Sequence, residues 1–211
     1  MTRIAVIDYD MGNLHSACKG LEKAGAEPVV TDVAAELFQA DAVVLPGVGA
    51  FDPAVQHLRS RDLIQPIRDV IASGKPFLGI CLGLQVLFEA SDEGKEPGLG
   101  IIPGYIRRFR PEPGITVPHM GWNQLQLTQP APLWGQVQSG DWVYFVHSYY
   151  ADPADPTVNA ATITHGSQTV TAAIRQRNLM AVQFHPEKSS TTGLQILSNF
   201  VTAVAPVAVA R

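Results

Sequence analysis

The stretch Phe77-Leu78-Gly79-Ile80-Cys81-Leu82-Gly83-Leu84-Gln85-Val86-Leu87-Phe88 constrains the fold more than any other part of the chain. Its first half reads as a buried strand ending at Cys81, and its second half as an apolar helix that begins at once. Gly79 and Gly83 stand two residues either side of the cysteine, giving Gly-x-Cys-x-Gly. Such a strand-to-helix turn presents its residue above the edge of a sheet, and the glycines leave room where two backbones meet. The start of the helix brings N–H groups and partial positive charge to the sulfur, which favours the reactive thiolate. A lone cysteine is more often a buried structural residue. Here the paired glycines and the change from strand to helix argue for a nucleophile.

Around this elbow the chain alternates strands and helices. Ile4 to Asp8 is a continuous apolar run, as expected of a strand covered on both faces. Asn13 is placed to cap a helix carrying Leu14, Ala17, Cys18, Leu21 and Ala24, which Gly25 ends. Pro28 to Thr31 and Ala42 to Leu45 read as the next strands, the latter ending at Pro46-Gly47-Val48-Gly49. Asp62 is expected to cap a helix through Ile64, Ile67, Val70 and Ile71, closed by Gly74, with Pro66 tolerated in its first turn. This alternation predicts a doubly wound α/β fold, a mostly parallel sheet flanked by helices.

After Glu93 glycine and proline become frequent. The runs Gly104 to Phe109, Trp122 to Leu127, Trp142 to Val146, Val158 to Ile163 and Thr169 to Ile174 predict short added antiparallel strands. Val182-Gln183-Phe184 reads as a last core strand. A final helix places Leu194, Leu197, Phe200 with Val201, and Val204 on one face, before Pro206 and a frayed tail from Val207 to Arg211. No repeat or linker interrupts the sequence, so one domain over residues 1–211 is expected.

Bulk properties exclude several classes. Apolar residues make up 46% and charged residues 16% of the 211, which suits a sizeable core. A net charge of −4 gives no reason to bind nucleic acid or an anionic membrane surface. The one basic cluster, Arg107-Arg108-Phe109-Arg110, reads as a solvated strand face or a local partner contact. Two cysteines, Cys18 and Cys81, are no disulfide framework and suit a reducing compartment. With no leader-like start and no bilayer-length apolar run, a cytoplasmic location is expected. No His or Cys pair has metal-ligand spacing, and Gly47-Val48-Gly49 and Gly98-Leu99-Gly100 lack the rest of a nucleotide fingerprint, so neither metal nor cofactor is expected.

A nucleophilic thiol needs a base, and the base an orienting group. His185 follows a core strand and precedes Glu187 by two residues, with Pro186 stiffening the turn; the alternative is a surface His-Pro-Glu turn. The sheet's carboxyl edge is where the three groups would meet. An oxyanion hole would take one donor from the N–H of Leu82 and another from the Gly47-Val48-Gly49 loop, which otherwise is only a strand-ending turn.

Taken together, the elbow and the closing Phe184-His185-Pro186-Glu187 resemble the class I, triad-type glutamine amidotransferases. Five further segments narrow the resemblance to the glutaminase subunits of imidazole glycerol phosphate synthases. They are Asp8-Tyr9-x-x-Gly12-Asn13-Leu14, Pro46 to Phe51, Pro118 to Asn123, Tyr144 to Tyr149 and His185 to Ser189. The resemblance implies a flavodoxin-like fold and a Cys81–His185–Glu187 triad that hydrolyses glutamine to glutamate and ammonia through a glutamyl thioester. It implies that Gln85 and Glu93 face the bound glutamine, that the backbone at Ser148 and Tyr149 holds its α-carboxylate, and that Gly47 and Gly49 belong to the same pocket. It also implies a partner, a (β/α)₈-barrel cyclase that takes up the ammonia.

A β-branched valine resists the positive-φ conformations open to glycine. Val48 is therefore expected to keep its N–H turned away until the partner docks. Asn13, His119, Met120 and Trp122 are the expected partner face; core packing for Trp122 and a surface turn for His119 are the alternatives. A stand-alone thiol hydrolase of γ-glutamyl bonds, or a non-catalytic binding module, would also account for such a fold.

Overall fold

The computed structural model describes residues 1–204. The N-terminal half alternates β1 (Thr2–Ile7), α1 (Leu14–Lys23), β2 (Ala26–Thr31), α2 (Ala34–Gln39), β3 (Ala42–Gly47), α3 (Phe51–Ser60), α4 (Ile64–Ala72), β4 (Phe77–Cys81) and α5 (Leu82–Gln85). Short strands follow: β5 (Ala90–Ser91), β6 (Gly104–Arg108), β7 (His119–Gln124), β8 (Gln126–Leu127), β9 (Trp142–His147), β10 (Tyr149–Pro153), β11 (Asn159–His165), β12 (Gln168–Gln176) and β13 (Leu179–Val182). The helix α6 (Ser190–Val204) comes last among the described residues.

The main sheet runs β2-β1-β3-β4-β13-β12-β10-β6-β5, with β11 on β12 and β8 on β11. From β2 to β13 the pairing is parallel. Beyond β13 it is antiparallel except for β5 with β6. A separate antiparallel ribbon joins β7 to β9.

Both faces of the parallel part are covered, which is why its strands are apolar without alternation. Along β1, Ile4 and Val6 pack with Leu21 of α1 and Leu197 and Phe200 of α6, whereas Ala5 and Ile7 pack with Val55 and Leu58 of α3 and Ile67 and Val70 of α4. Parallel pairing brings the C-terminal ends of β1, β3, β4 and β13 to one edge of the sheet. The loop after Ile7, the turn after Gly47, the thiol of Cys81 and the segment leading to His185 therefore share a rim.

Several expectations are corrected. The elbow leads into a helix of four residues, with single turns continuing to Phe88, so the long apolar helix and its full dipole are absent. Asp62 is no cap: its φ of 55° puts it in the turn between α3 and α4, and α4 begins after Leu63 without a side-chain cap. The helices α2 and α3 and the strand β10 escaped sequence reading; α3 carries Asp52-Pro53 in its first turn, which resembles a turn, although its apolar face is regular. The run from Trp122 to Leu127 is broken at Leu125, whose N–H bonds to the carbonyl of Asp141. On α6, Ile196 is in the core and Leu194 only half-buried. Pro206 and the tail from Val207 lie outside the described residues.

The elbow is held by contact rather than by length. A Cβ on Gly83 would overlap the carbonyl oxygen of Leu45 in β3, and one on Gly79 would lie 2.8 Å from the carbonyl oxygen of Gly83. Gly83→Ala is therefore expected to destabilise the protein by about 1–3 kcal/mol or more, read as a lower urea midpoint. An unchanged midpoint would mean that the strand–helix contact is loose.

Candidate active site

Cys81 is the last residue of β4 and sits at φ 54°, ψ −111°. Residues with a side chain hold such conformations at a cost of about 1–3 kcal/mol, and only where the surroundings over-determine them. Here the surroundings are close-packed: the neighbouring strand β3 approaches so near that a Cβ on Gly47 would overlap the hydroxyl of Tyr9 and lie 2.8 Å from Cβ of Leu82. Tyr9 is fully buried, and burial, with Cys81 adding to it, pushes its phenol well above the usual range.

The base reaches this thiol from the far end of the chain. After β13, His185 precedes a 3₁₀ turn, Pro186–Lys188, in which the proline occupies the first position. That turn points both side chains inward, where Nδ1 of His185 and Oε1 of Glu187 are 2.8 Å apart and almost wholly buried. Burial opposes charge on the imidazole, but the sulfur of Cys81 and the carboxylate of Glu187 outweigh it and raise His185 to about 9. Its Nε2 is buried and makes no hydrogen bond among the described residues.

A cavity of about 290 Å³ opens beside the sulfur. It gathers Cys81, Leu82, His185, Val48, Gly49, Gln85, Glu93, Ser148 and Tyr149, nearly every residue expected to face substrate. Gly47 lines an adjoining cleft instead, with Asn13, Val48, His185 and Glu187. The carboxylate of Glu93 accepts the N–H of Phe51 at 2.9 Å, tying the pocket rim to the start of α3. The N–H of Val48 points away from the cavity and donates to the carbonyl of Met11 at 2.6 Å.

Four contributors escaped sequence reading. Met11 supplies that carbonyl, Tyr9 packs under the turn, Gln183 donates to the Cys81 sulfur, and His147 supports the pocket wall. His147 Nδ1 donates to the carbonyl of Tyr149 at 2.8 Å, so its Nε2 must accept, and it does so from Nδ1 of His119 at 3.0 Å. Burial lowers His147 to about 3 and His119 to about 4, keeping the pair neutral. The only advance signal was Gln183, a polar residue in the apolar run expected as the last core strand; that strand is in fact Leu179–Val182 and ends just before Gln183.

Of the residues expected on a partner face, His119 requires correction. It is 5% exposed and turned inward onto His147. Asn13 is half-buried, and its side chain caps α1 through the N–H of Ser16. Met120 and Trp122, at 63% and 48%, lie open on the outer face of the β7–β9 ribbon, where the pairing of Gln124 with Trp142 adds a second exposed tryptophan.

A family model described as glutamine amidotransferase class-I matches residues 5–204. The chain belongs to this family. A relative from Cyanothece sp. named imidazole glycerol phosphate synthase subunit HisH is 73% identical over 99% of this chain and 100% of its own length. One of the same name from Nostoc punctiforme is 74% identical over 97% of each chain. Among solved structures, PurLQS from Thermotoga maritima has a TM-score of 0.75 at 19% identity, covering 96% of this chain and 99% of its own. A structure described as glutamine amidotransferase has a TM-score of 0.73 at 18% identity, covering 95% and 98%. These two share the fold. As a glutamine amidotransferase, the protein has an enzyme's domain, and among the described residues no helix is long and apolar enough to cross a membrane.

The rise at His185 has a defined sign. An imidazole held at about 9 against 6.5 in the open chain stabilises the fold fully below pH 6.5 and loses that contribution as pH climbs through 9. Glu187→Gln removes one of the two anions, so the NMR titration midpoint of the His185 ring should fall. The stability gap between wild type and variant should be widest below pH 6.5 and narrow towards pH 9. A midpoint that stays near 9 would mean that Glu187 does not hold the imidazolium.

Proposed function

We propose that this chain is the glutaminase subunit of an imidazole glycerol phosphate synthase, a single glutamine amidotransferase domain acting in the cytoplasm as one half of a heterodimer. The sulfur of Cys81 attacks the side-chain carboxamide carbon of glutamine. His185 gives its proton to the departing ammonia, Glu187 holds the imidazole's orientation, and a glutamyl thioester remains. His185 then takes a proton from water, which adds to the thioester carbon and releases glutamate with the thiol restored. Gln85, Glu93 and the backbone at Ser148 and Tyr149 hold the substrate, beside Gly47 and Gly49. The (β/α)₈-barrel cyclase receives the ammonia and makes imidazole glycerol phosphate and an aminoimidazole carboxamide ribotide.

The relatives' names and high identity along nearly the whole chain support this partner. The observation that carries the mechanism is the hydrogen bond from Val48 to Met11. Two N–H donors are wanted where the tetrahedral oxyanion forms, those of Leu82 and Val48, and the second is engaged elsewhere. Rotation of the Gly47–Val48 peptide when the liganded cyclase docks would release it. Met120, Trp122 and Trp142 form the docking face, with Asn13 at its edge and His119 supporting it from beneath.

A glutaminase assay tests this reading. One missing oxyanion donor costs about a hundred- to a thousandfold in rate, so the isolated chain should turn over glutamine that much more slowly than the complex with cyclase and its ligand. Cys81→Ala should abolish turnover in both. Equal rates with and without the partner would defeat the gating, and turnover by Cys81→Ala would defeat the triad.

A further inference from the structure

Gln183 lies between the last residue of β13 and the catalytic histidine, with fully buried Val182 and Phe184 either side. Its own side chain is also fully buried, and a primary amide in that setting is costly unless both of its ends are partnered. Both are. Oε1 of Gln183 accepts from Nε2 of Gln85 at 3.0 Å, and Nε2 of Gln183 donates to Sγ of Cys81 at 3.6 Å.

The direction of this chain follows from one fixed acceptor. The backbone carbonyl of Tyr149 can only accept, and Gln85 meets it with Nε2 at 3.3 Å. The same nitrogen faces Gln183, so Gln183 must present its oxygen to Gln85 and its N–H to the sulfur. A flipped Gln183 amide would set two N–H donors against each other at Gln85 and turn its oxygen towards the sulfur. The sulfur is thus offered a donor, which favours the anion over the thiol.

We propose that Gln183 is a further catalytic residue, whose carboxamide holds the Cys81 sulfur as the anion and ties it through Gln85 to the pocket wall at Tyr149. When the sulfur ionises, its proton goes to Nε2 of His185, and the amide of Gln183 keeps both of its hydrogens. The inference rests on the glutaminase reading for its substrate, but not for its central measurement. Other titratable groups around the sulfur are His185 and Tyr9 beside it, Glu187 behind the imidazole, and His147 and Glu93 across the cavity. Substitution at Gln183 leaves all of them in place.

The experiment is alkylation of the chain by iodoacetamide across pH, with Cys81 and the half-buried Cys18 followed separately by mass spectrometry. Gln183→Leu keeps the volume and removes the donor. It should raise the pH midpoint of Cys81 alkylation by about one unit and slow the reaction about tenfold below it. Gln183→Glu keeps an acceptor for Gln85 but sets a carboxylate against the sulfur, and should slow it further. In the liganded complex the loss should fall on kcat more than on KM. The wild type supplies a readout that needs no variant: the side-chain amide NMR signals of Gln183 should move with the titration of Cys81.

Equal midpoints in all three folded proteins, or amide signals indifferent to the sulfur, would overturn the proposal, even if the variants lost activity. Should the variants fail to fold, the wild-type signals decide. A wild-type complex that released no ammonia from glutamine would sink the glutaminase reading while leaving the alkylation result intact.

Discussion

The backbone of Cys81, held at φ 54° and ψ −111°, is the constraint on which the site depends. No long helix anchors it, because α5 has only four residues. Its restraint comes from β3, whose Leu45 carbonyl and Gly47 backbone press against Gly83 and Leu82. The strand that leads into Val48 is thus the same strand that holds Cys81 in its positive-φ turn. The peptide after Gly47 therefore sits at the edge of the contact that presents the sulfur.

Electrostatic sorting around the cavity is equally local. His185 and the His119–His147 pair are all buried histidines, yet they move in opposite directions, to about 9 against about 4 and 3. The difference lies in their neighbours. His185 has a carboxylate at 2.8 Å and a sulfur beside it, whereas the other two bond a carbonyl and each other. One imidazole is thereby kept charged and two are kept neutral as struts. Protonating His147 would set a new N–H at its Nε2 against the Nδ1–H of His119 and break the bond between the two struts.

Much of this arrangement was legible in the residues. Continuous apolar runs at Ile4 to Ile7 and Phe77 to Ile80 announced strands covered on both faces, and the glycines around Cys81 announced the turn. His185-Pro186-Glu187 was legible because a two-residue spacing with a stiffening proline is itself a geometry. What escaped was set by tertiary contact. Asp62 has the chemistry of a cap, but the chain reverses there through a positive φ, and packing of Leu63 starts the helix instead. His119 looks like a surface histidine until the register pairs it with His147 and places Phe109 and Phe145 around it. The carbonyl of Met11 leaves no trace in any side-chain pattern, since backbone groups are the same at every position.

The resting bond from Val48 to Met11 and the open ribbon face belong to one economy. On the proposed reading, ammonia released without an acceptor would diffuse away, so the subunit would gain from an oxyanion hole that is incomplete when it is alone. The bond at 2.6 Å is a single neutral hydrogen bond, whose net worth is about 0.5–1.5 kcal/mol. On the proposed reading, turning the peptide over would be within the differential binding energy of a docked partner, while disfavoured in its absence. Val48, Met120, Trp122 and Trp142 are all exposed, and exposed aromatic side chains are the type that anchors protein interfaces. Trp122 packs edge-on to Tyr144, and the carbonyl of Tyr144 accepts the N–H of His185 at 2.9 Å. A partner seated on that ribbon would press on the strand that bonds the catalytic histidine. On the proposed reading, docking and catalysis then share a short path of direct contacts, and the switch needs no rearrangement of the core.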